Sequence, residues 1–204
     1  MAEFINRGFG RKRESSRSER IPPGQYETPD FPVLTAGPTP RIPLSDWTFA
    51  LEGLVESPIQ WTWEQFNALP HQSFRQDIHC VTKWSKLDTN WEGVSIDTLL
   101  EHVTLQPEAQ YVMAYSHGNY TTNIPLADLR DGKAFVGMRF EGQPLAPEHG
   151  GPARLVVPHL YFWKSAKWIK GLRFMATDEP GFWEENGYSM YGDPWQEQRY
   201  RSDD

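Results

Sequence analysis

The sequence predicts a single α+β domain that is mostly β, with short helices and much irregular chain. Many short stretches alternate apolar and polar residues, as half-buried strands do. The helix signals are few and short, and they do not alternate regularly with strands as βαβ units would require. A length of 204 residues is enough for one sizeable core, and the composition shows no break between two domains.

The first half of the chain carries the clearest local signals. Trp47, Phe49 and Leu51 alternate with smaller or more polar residues, which predicts a half-buried strand. Further on, Thr62 is followed three residues later by Gln65, a capping-box pattern that predicts the start of a short helix. The stretch "SFRQDIHC" then predicts a strand that leads to a cysteine.

The segment after that cysteine is interpreted as a turn into a second helix. Trp91 and Gly93 predict the turn, and Ser95 is a suitable N-cap for a helix that runs through Val103. Short apolar runs separated by turn-forming residues predict the remaining strands. These runs are "YVMAYS", "NYTTNIPL", "AFVGMRF", "ARLVV" and "KWIKGLRFMA".

The domain boundary is predicted near residue 25. Residues 1–25 combine basic groups with serine, glycine and glutamate and have no apolar period, so we expect a flexible N-terminal arm. Residues 26–204 are expected to form the single domain. The C-terminal stretch is dense in aromatic residues, which favours a segment packed against that domain.

Charge and hydropathy exclude several classes of protein. A net charge of -7 argues against nucleic-acid binding, because such proteins usually present a basic face. No stretch approaches the roughly 20 apolar residues needed to cross a bilayer, so we expect no membrane span. A single cysteine cannot form an internal disulfide, and no export signal is visible, so we expect a cytoplasmic protein.

Cys80 is the single cysteine, and the residues around it leave three interpretations open. Its thiol is a small buried hydrophobe, a nucleophile or a metal ligand. A Cys-His hydrolase would pair Cys80 with a histidine from elsewhere in the chain, and His149 and His159 are possible partners. The common zinc, P-loop and nucleophile-elbow motifs are absent from the sequence.

Two clusters of hydrogen-bond donors flank the predicted strand "ARLVVP". Two glycines and a proline precede Arg154, an arrangement that brings backbone N–H groups and a guanidinium together. After the strand, Lys164, Ser165 and Lys167 lie within four positions. Their proximity across one strand predicts a shared site for an anion or a cofactor.

Three ordered motifs carry a family resemblance. They are "HCVTKWS" with W-x-G-V-x-x-x-x-L-L after it, "HGGPARLVVP" followed by "KSAKWI", and "PGFWEENGYSMYGDPWQEQRY". Together they resemble the sulfite oxidase-like molybdopterin-dependent oxidoreductases, in particular their small standalone members, over roughly residues 20–200. The resemblance implies that family's molybdopterin-binding catalytic fold and a molybdenum-molybdopterin cofactor.

The resemblance also implies roles for single residues. Cys80 would bind the molybdenum, which agrees with the preference of such a metal for a soft thiolate. Lys83 would shape the catalytic wall, and Tyr120 is similar to the family's tyrosine that faces the metal. The other implied contacts all go to the cofactor: Leu34, Thr35, Ser116, His117, His149, Arg154, Ser165, Ala166 and Lys167.

The implied activity is two-electron oxygen-atom transfer to or from a small S-oxide, N-oxide or sulfite. Cys80 is followed by Val-Thr-Lys-Trp, without the arginines that sulfite oxidases place around an anionic substrate, which favours reduction of an S- or N-oxide. No C-x-x-C-H haem motif occurs, so we expect an external electron-transfer partner. A Cys-His hydrolase and a non-enzymatic binding module are the alternatives, and neither would require the pairing of "HGGPAR" with "KSAKW".

Overall fold

Two β-sheets form the framework of the protein in a computed structural model that describes residues 17–204. Residues 1–16, which make up most of the predicted arm, lie outside the described residues. The strands of the described part are β1 Tyr26–Glu27, β2 Thr48–Gly53, β3 Ile59–Thr62, β4 Gln72–His79, β5 Trp84–Ser95, β6 Tyr111–Ser116, β7 Thr121–Pro125, β8 Phe135–Phe140, β9 Gln143–Pro144, β10 Arg154–Val156 and β11 Ile169–Met175. With only short helices beside them, these strands confirm the predicted α+β, mostly β class.

The first sheet is built around the long strand β5. Along one edge β5 pairs antiparallel with β4, from Gly93 opposite Gln72 to Ser85 opposite His79. Along its other edge β5 pairs first in parallel with the short β1 and then antiparallel with β8. Strand β8 continues the sheet to β10, and β9 adds a short hairpin to β8. This arrangement places the end of β4 and the start of β10 in one sheet.

The second sheet has the strand order β3-β2-β11-β6-β7. Its central strand β11 runs parallel to β2 and antiparallel to β6. Because β11 is the last strand in the chain and β2 is nearly the first, the sheet joins the two ends of the domain. The alternation predicted around Phe49 is confirmed, since Trp47, Phe49 and Leu51 are fully buried.

Three short α-helices accompany the sheets: α1 Trp63–Asn67, α2 Ile96–Leu100 and α3 Phe182–Glu185. The predicted capping box opens α1, because the Thr62 hydroxyl accepts the Gln65 N–H and the Gln65 side chain accepts the Thr62 N–H. Ser95 caps α2 as predicted, and its hydroxyl accepts the Thr98 N–H at 3.0 Å.

Two expectations for the segment after Cys80 were wrong. Residues predicted as a turn belong to the twelve-residue strand β5, and Gly93 lies inside it. A Cβ atom at Gly93 would stand 2.0 Å from the carbonyl oxygen of Val136, so glycine serves the close approach of β5 to β8. The helix predicted through Val103 also ends earlier, at Leu100.

The buried apolar residues form two clusters. The larger one takes residues from both sheets and from α1 and α2, and it includes the fully buried Trp47, Phe49 and Phe66. Complete burial of one such side chain contributes about 1.5–3 kcal/mol. The smaller cluster belongs to the first sheet and combines Cys80 with Trp84 and other aromatic side chains. The thiol therefore lies at the edge of an aromatic core.

The last residues of the predicted arm contact the first sheet. Arg20 Nη2 donates to Asp77 at 2.5 Å and to Asp88 at 2.7 Å. These carboxylates belong to β4 and β5, so the guanidinium holds the chain before β1 against both strands. No helix of residues 17–204 is both long enough and apolar enough to cross a bilayer.

Candidate functional site

The site is a cavity of about 660 Å³ that receives residues from both sheets. Cys80 follows β4, Arg154 opens β10, Tyr120 precedes β7 and Lys167 precedes β11, so four strand ends converge on it. Residues 31–40 supply much of one further wall. Seven residues predicted for the site line this cavity together: Leu34, Thr35, Cys80, Tyr120, Arg154, Ser165 and Lys167.

Cys80 stands in the tight connection between β4 and β5. Its N–H donates to the Trp84 carbonyl oxygen at 2.8 Å, and Lys83 adopts the left-handed region at φ 75°. The Thr82 hydroxyl donates to the thiol sulfur at 3.1 Å. Burial raises the pKa of the Cys80 thiol, while Thr82 and the charges of nearby cations oppose that rise. A bound metal ion would displace the thiol proton and so favour the thiolate form of Cys80.

Arg154 is the most enclosed charge of the site, with 1% of its surface exposed. Its guanidinium donates to the carbonyl oxygens of His149 at 2.8 Å and Ser165 at 2.6 Å. It also lies 4.0 Å from the centre of the Phe162 ring. Burial lowers the pKa of Arg154, and no carboxylate is among its hydrogen-bond partners in the described chain. The charge is thus oriented by neutral groups and left without a counter-ion.

Lys167 is the second cation of the cavity. Its ammonium donates to the carbonyl oxygens of Leu34 at 2.7 Å and Glu148 at 2.6 Å. Burial, together with the nearby charge of Arg154, lowers the pKa of Lys167 to about 8. None of the described residues that line the cavity is acidic. The two cations therefore create a site whose charge only an anionic ligand would balance.

Ser116 and Ala166 support the Lys167 segment from outside the cavity. The Ser116 hydroxyl donates to the Lys167 carbonyl oxygen at 2.5 Å. The Ala166 carbonyl oxygen accepts the Leu155 N–H at 2.9 Å, and Ala166 is 1% exposed. Both residues were predicted to contact the cofactor, but the structure places them where they hold the backbone that presents Ser165 and Lys167.

His149 lies beside the cavity rather than in its lining. Its imidazole stacks on Phe31 with ring centres 4.0 Å apart and planes 10° apart. Burial lowers the pKa of His149, with further lowering by the charges of Arg154 and Lys167. The buried Nδ1 atom of His149 has no hydrogen-bond partner among the described residues. A buried polar atom without a partner is uncommon in folded proteins and marks the neighbourhood of the cavity as a candidate for ligand contact.

Tyr120 faces the cavity with an oriented phenol. Its hydroxyl donates to the Trp163 carbonyl oxygen at 2.6 Å. Burial raises the pKa of Tyr120, with the charge of Glu184 as a second cause. The phenol therefore stays protonated at neutral pH and remains a hydrogen-bond donor.

Lys83 and His117 were expected in the site, but the structure does not bring them to the cavity. Lys83 is exposed and adopts the left-handed region in the connection between β4 and β5. His117 Nε2 lies 3.3 Å from the Thr48 carbonyl oxygen, on the second sheet. Lys164, from the predicted anion cluster, is likewise buried elsewhere and donates to Asn123 Oδ1 at 2.8 Å.

The geometry gives no support to a Cys-His hydrolase. The Cys80 sulfur has Thr82 as its hydrogen-bond partner, and in residues 17–204 no histidine bonds to it. His79, the neighbour in sequence, lies 2.8 Å from the Ser85 hydroxyl. His159 is paired with Asp128 at 3.1 Å. A thiol nucleophile would lack the base that activates it.

The donor set of the cavity fits a molybdopterin. A soft sulfur ligand and two cations, with no carboxylate among the described residues of the lining, match the metal and the anionic group of such a cofactor. Trp84 adds a buried indole N–H that has no partner among the described residues. Aromatic side chains complete the walls, so the cavity excludes water from a bound ring system.

Several lining residues have no counterpart in the predicted set. Phe31 is one, and others form an aromatic group: Trp163, Trp168, Phe182, Trp183 and Tyr188. The only available signal was the aromatic density of the C-terminal stretch, which indicated packing on the domain but not proximity to Cys80. These residues reach the cavity through tertiary contacts that the local sequence does not specify.

Comparison with known proteins places these features in one family. The family model described as "Oxidoreductase molybdopterin binding domain" matches residues 36–183. The chain is 45% identical to the uncharacterized oxidoreductase YuiH of Bacillus subtilis, over 96% of this chain and 99% of that protein.

Other relatives are longer than this chain. A putative protein-methionine-sulfoxide reductase subunit of Azospira oryzae is 32% identical, over 71% of this chain and 56% of that protein. The sulfane dehydrogenase SoxCD of Paracoccus pantotrophus shares the fold, with a TM-score of 0.62 and 22% identity over 68% of this chain and 40% of that one. On the strength of the family match and the YuiH relationship, the chain belongs to the oxidoreductase molybdopterin-binding domain family and is a molybdopterin-dependent oxidoreductase.

Proposed function

We propose that this protein holds a molybdenum-molybdopterin cofactor in the cavity and reduces a small S- or N-oxide by two-electron oxygen-atom transfer. The observation that carries the proposal is one cavity in which the described lining has a thiol and two cations and no acidic side chain. When bound, the cofactor supplies the exchange of two electrons and an oxygen atom with the substrate. The protein supplies the ligand, the anchoring charges and the shape of the site.

Each lining residue has a proposed task. The Cys80 thiolate binds the metal, and Thr82 keeps that sulfur oriented through its hydroxyl. Arg154 and Lys167 bind the anionic group of the cofactor, and Ser165 orients Arg154 through its carbonyl oxygen. Leu34 and Thr35 close the cavity over this group, with Leu34 fixed to Lys167.

Reduction is favoured over sulfite oxidation by the distribution of charge. Arg154 and Lys167 are the cationic side chains among the described residues that line the cavity, and the cofactor would employ both. An anionic substrate such as sulfite would find no further cation there. In reduction of an S-oxide the S–O bond breaks, sulfur gains two electrons, and oxygen leaves as water with two protons. Tyr120 is the proposed donor of a hydrogen bond to the substrate oxygen, and to make it the phenol would turn its single O–H proton away from the Trp163 carbonyl oxygen.

The proposal includes an external electron donor and a cytoplasmic location. The sequence has no C-x-x-C-H haem motif, so we expect another molecule to deliver the two electrons. The Azospira oryzae relative is named as a subunit, which is compatible with a separate redox partner. The single cysteine supports a reducing compartment, because it leaves no internal disulfide to maintain.

Metal and pterin analysis of purified protein tests the cofactor assignment. The host is one shown to load a known molybdoenzyme, and wild type is compared with Cys80→Ser. We expect about one molybdenum per chain in wild type. In Cys80→Ser we expect either loss of the metal or, where metal remains, loss of the visible absorption that arises from cysteine-to-metal charge transfer, because serine oxygen cannot provide it.

Ile78→Val is the matched control, because Ile78 is fully buried in the same cluster as Cys80 but does not line the cavity. This variant should retain metal, pterin and spectrum. Wild type without molybdenum or pterin from that host would contradict the proposal. A Cys80→Ser protein with full metal and an unchanged spectrum would contradict the assignment of the ligand.

A further inference from the structure

The lining of the cavity divides into two sectors of different chemistry. In the cationic sector, Arg154 lies 4.0 Å from the centre of the Phe162 ring, and the Lys167 ammonium lies 5.5 Å from that of Trp168. The other sector is a chain of aromatic rings, here called the aromatic wall: Tyr120, Phe182, Trp183, Tyr188 and Trp163. Neighbouring ring centres along this chain are 5.0–5.9 Å apart.

A buried carboxylate holds the aromatic wall in place. Glu184 is fully buried, and its Oε1 atom accepts hydrogen bonds from Trp163 Nε1 at 2.8 Å and from the Thr122 hydroxyl at 3.0 Å. The same oxygen lies 2.7 Å from the Lys164 ammonium. One carboxylate thus connects α3, which carries Phe182 and Trp183, to the segment that carries Trp163.

The Lys164 side chain extends this anchor to the next part of the wall. Its ammonium donates to the carbonyl oxygens of Asn123 at 2.9 Å and Met190 at 2.7 Å. Met190 follows Tyr188 by two residues, so the far end of the wall is fixed to β7 as well. A wall held by a buried ion pair and several hydrogen bonds is preorganised before a substrate enters.

We propose that the aromatic wall determines substrate specificity by accepting the apolar substituent of a neutral S- or N-oxide. The inference rests on the proposed reductase function and names the class of substrate. Anionic groups match the cationic sector, whereas no side chain of the wall carries a charge at neutral pH. Aromatic faces gain most from apolar or aromatic groups that they remove from water. Phe182 is 37% exposed, so the wall reaches the mouth of the cavity, where a substituent would enter.

Steady-state kinetics of the molybdenum-loaded enzyme test the inference. Reduced benzyl viologen supplies the electrons, and dimethyl sulfoxide is compared with methyl phenyl sulfoxide. We expect wild type to prefer the phenyl compound in kcat/KM. In Trp183→Ala that preference should fall about tenfold, because the variant removes contact to the substituent and not to the S–O group. Trp183→Phe keeps an apolar ring and should restore most of the preference.

Trp195→Ala is the matched control. Trp195 belongs to the same C-terminal region, is 49% exposed and does not line the cavity, so this variant should keep the wild-type preference. Should Trp183→Ala lose its cofactor, Phe182→Ala makes the same test at the exposed end of the wall. It should lower the preference several-fold.

The outcomes separate this inference from the function on which it rests. If loaded wild type reduces neither sulfoxide, the proposed function and the inference both fail. If wild type reduces both compounds and the two wall variants keep its preference for the phenyl compound, only the inference fails. Equal loss of kcat/KM for both compounds, at unchanged cofactor content, would also overturn it.

Discussion

Two residues of this cavity, Arg154 and Lys167, carry buried or half-buried charges that a bound anion would balance. Arg154 and Lys167 are oriented by backbone carbonyl oxygens and have no carboxylate beside them in the lining. Desolvation penalises both charges until an anion arrives. A bound anionic cofactor would offset this desolvation penalty, and the free energy so gained would strengthen its binding.

Anion affinity of the cofactor-free protein should fall above pH 8. Burial lowers the pKa of Lys167 to about 8, so its charge is present below that pH and lost above it. We expect sulfate, which stays dianionic across this range, to bind about tenfold more weakly at pH about 9.5 than at pH about 7. Calorimetric titration measures this change. Lys167→Met should remove it, and Lys133→Met, at an exposed lysine, should not.

Lys167 also makes the free energy of unfolding depend on pH. Rising pH increases its contribution to this free energy, whereas it decreases the anion affinity. Between pH about 8 and about 10.5 the unfolded chain keeps a proton on Lys167 that the cofactor-free folded protein has released. The unfolded state then binds more protons, so the contribution of Lys167 to the free energy of unfolding rises with pH in this window. A ligand-free protein whose anion affinity does not change across pH 8 would contradict the assignment of Lys167 to the anion site.

At the scale of elements, β5 and β8 approach each other so closely at Gly93 that no side chain fits there. A Cβ atom at Gly93 would meet the Val136 carbonyl oxygen at 2.0 Å, and backbone cannot yield as a flexible side chain would. We expect Gly93→Ala to lower the free energy of unfolding by about 1–3 kcal/mol, measured by urea denaturation. Gly37→Ala is the control, because no atom stands within 4 Å of a Cβ there. Equal midpoints for the two variants would refute the close-contact interpretation.

Local signals predicted the elements that local contacts specify. The capping box at Thr62 and the N-cap at Ser95 concern neighbours in sequence, and both helices begin where predicted. Strand β5 was missed in part because it contains Gly93 and several charged residues, and its pairing with β1, β4 and β8 decides its conformation. Pattern alone cannot report such distant partners.

The candidate site likewise contains residues that the sequence predicted and residues that it did not. Motif order predicted that Cys80, Arg154 and Lys167 would meet, and these residues line one cavity. Sequence spacing could not show that Lys164 turns away to a carboxylate twenty residues further along, Glu184. Tyr120 is the one member of the aromatic wall that was predicted for the site. Phe182, Trp183 and Tyr188 lie in the C-terminal motif, but that motif did not indicate that their rings would line the cavity.

At the scale of the whole molecule, the cavity brings together residues from different parts of the fold. Its lining comes from both sheets and from residues 28–40, here called the strap, most of which is exposed. The strap reaches the cavity through the hydrogen bond of its Leu34 carbonyl oxygen to Lys167 and through the stacking of Phe31 on His149. A cofactor seated among these groups would add contacts to both sheets and to the strap at once.

Cofactor loading should therefore stabilise the molecule and protect the strap. A ligand present at a thousand times its dissociation constant adds about 4 kcal/mol. For a domain of this size that corresponds to a rise of about 10 °C in Tm. Calorimetry of loaded and cofactor-free wild type measures the rise, and hydrogen exchange followed by mass spectrometry should show slower exchange in the strap of the loaded form. Equal Tm values and equal exchange would mean that the cofactor does not bind in this cavity. In loaded Lys167→Met the strap should lose part of its protection around Leu34 while both sheets keep theirs, because the variant removes the hydrogen bond from Lys167 to the Leu34 carbonyl oxygen.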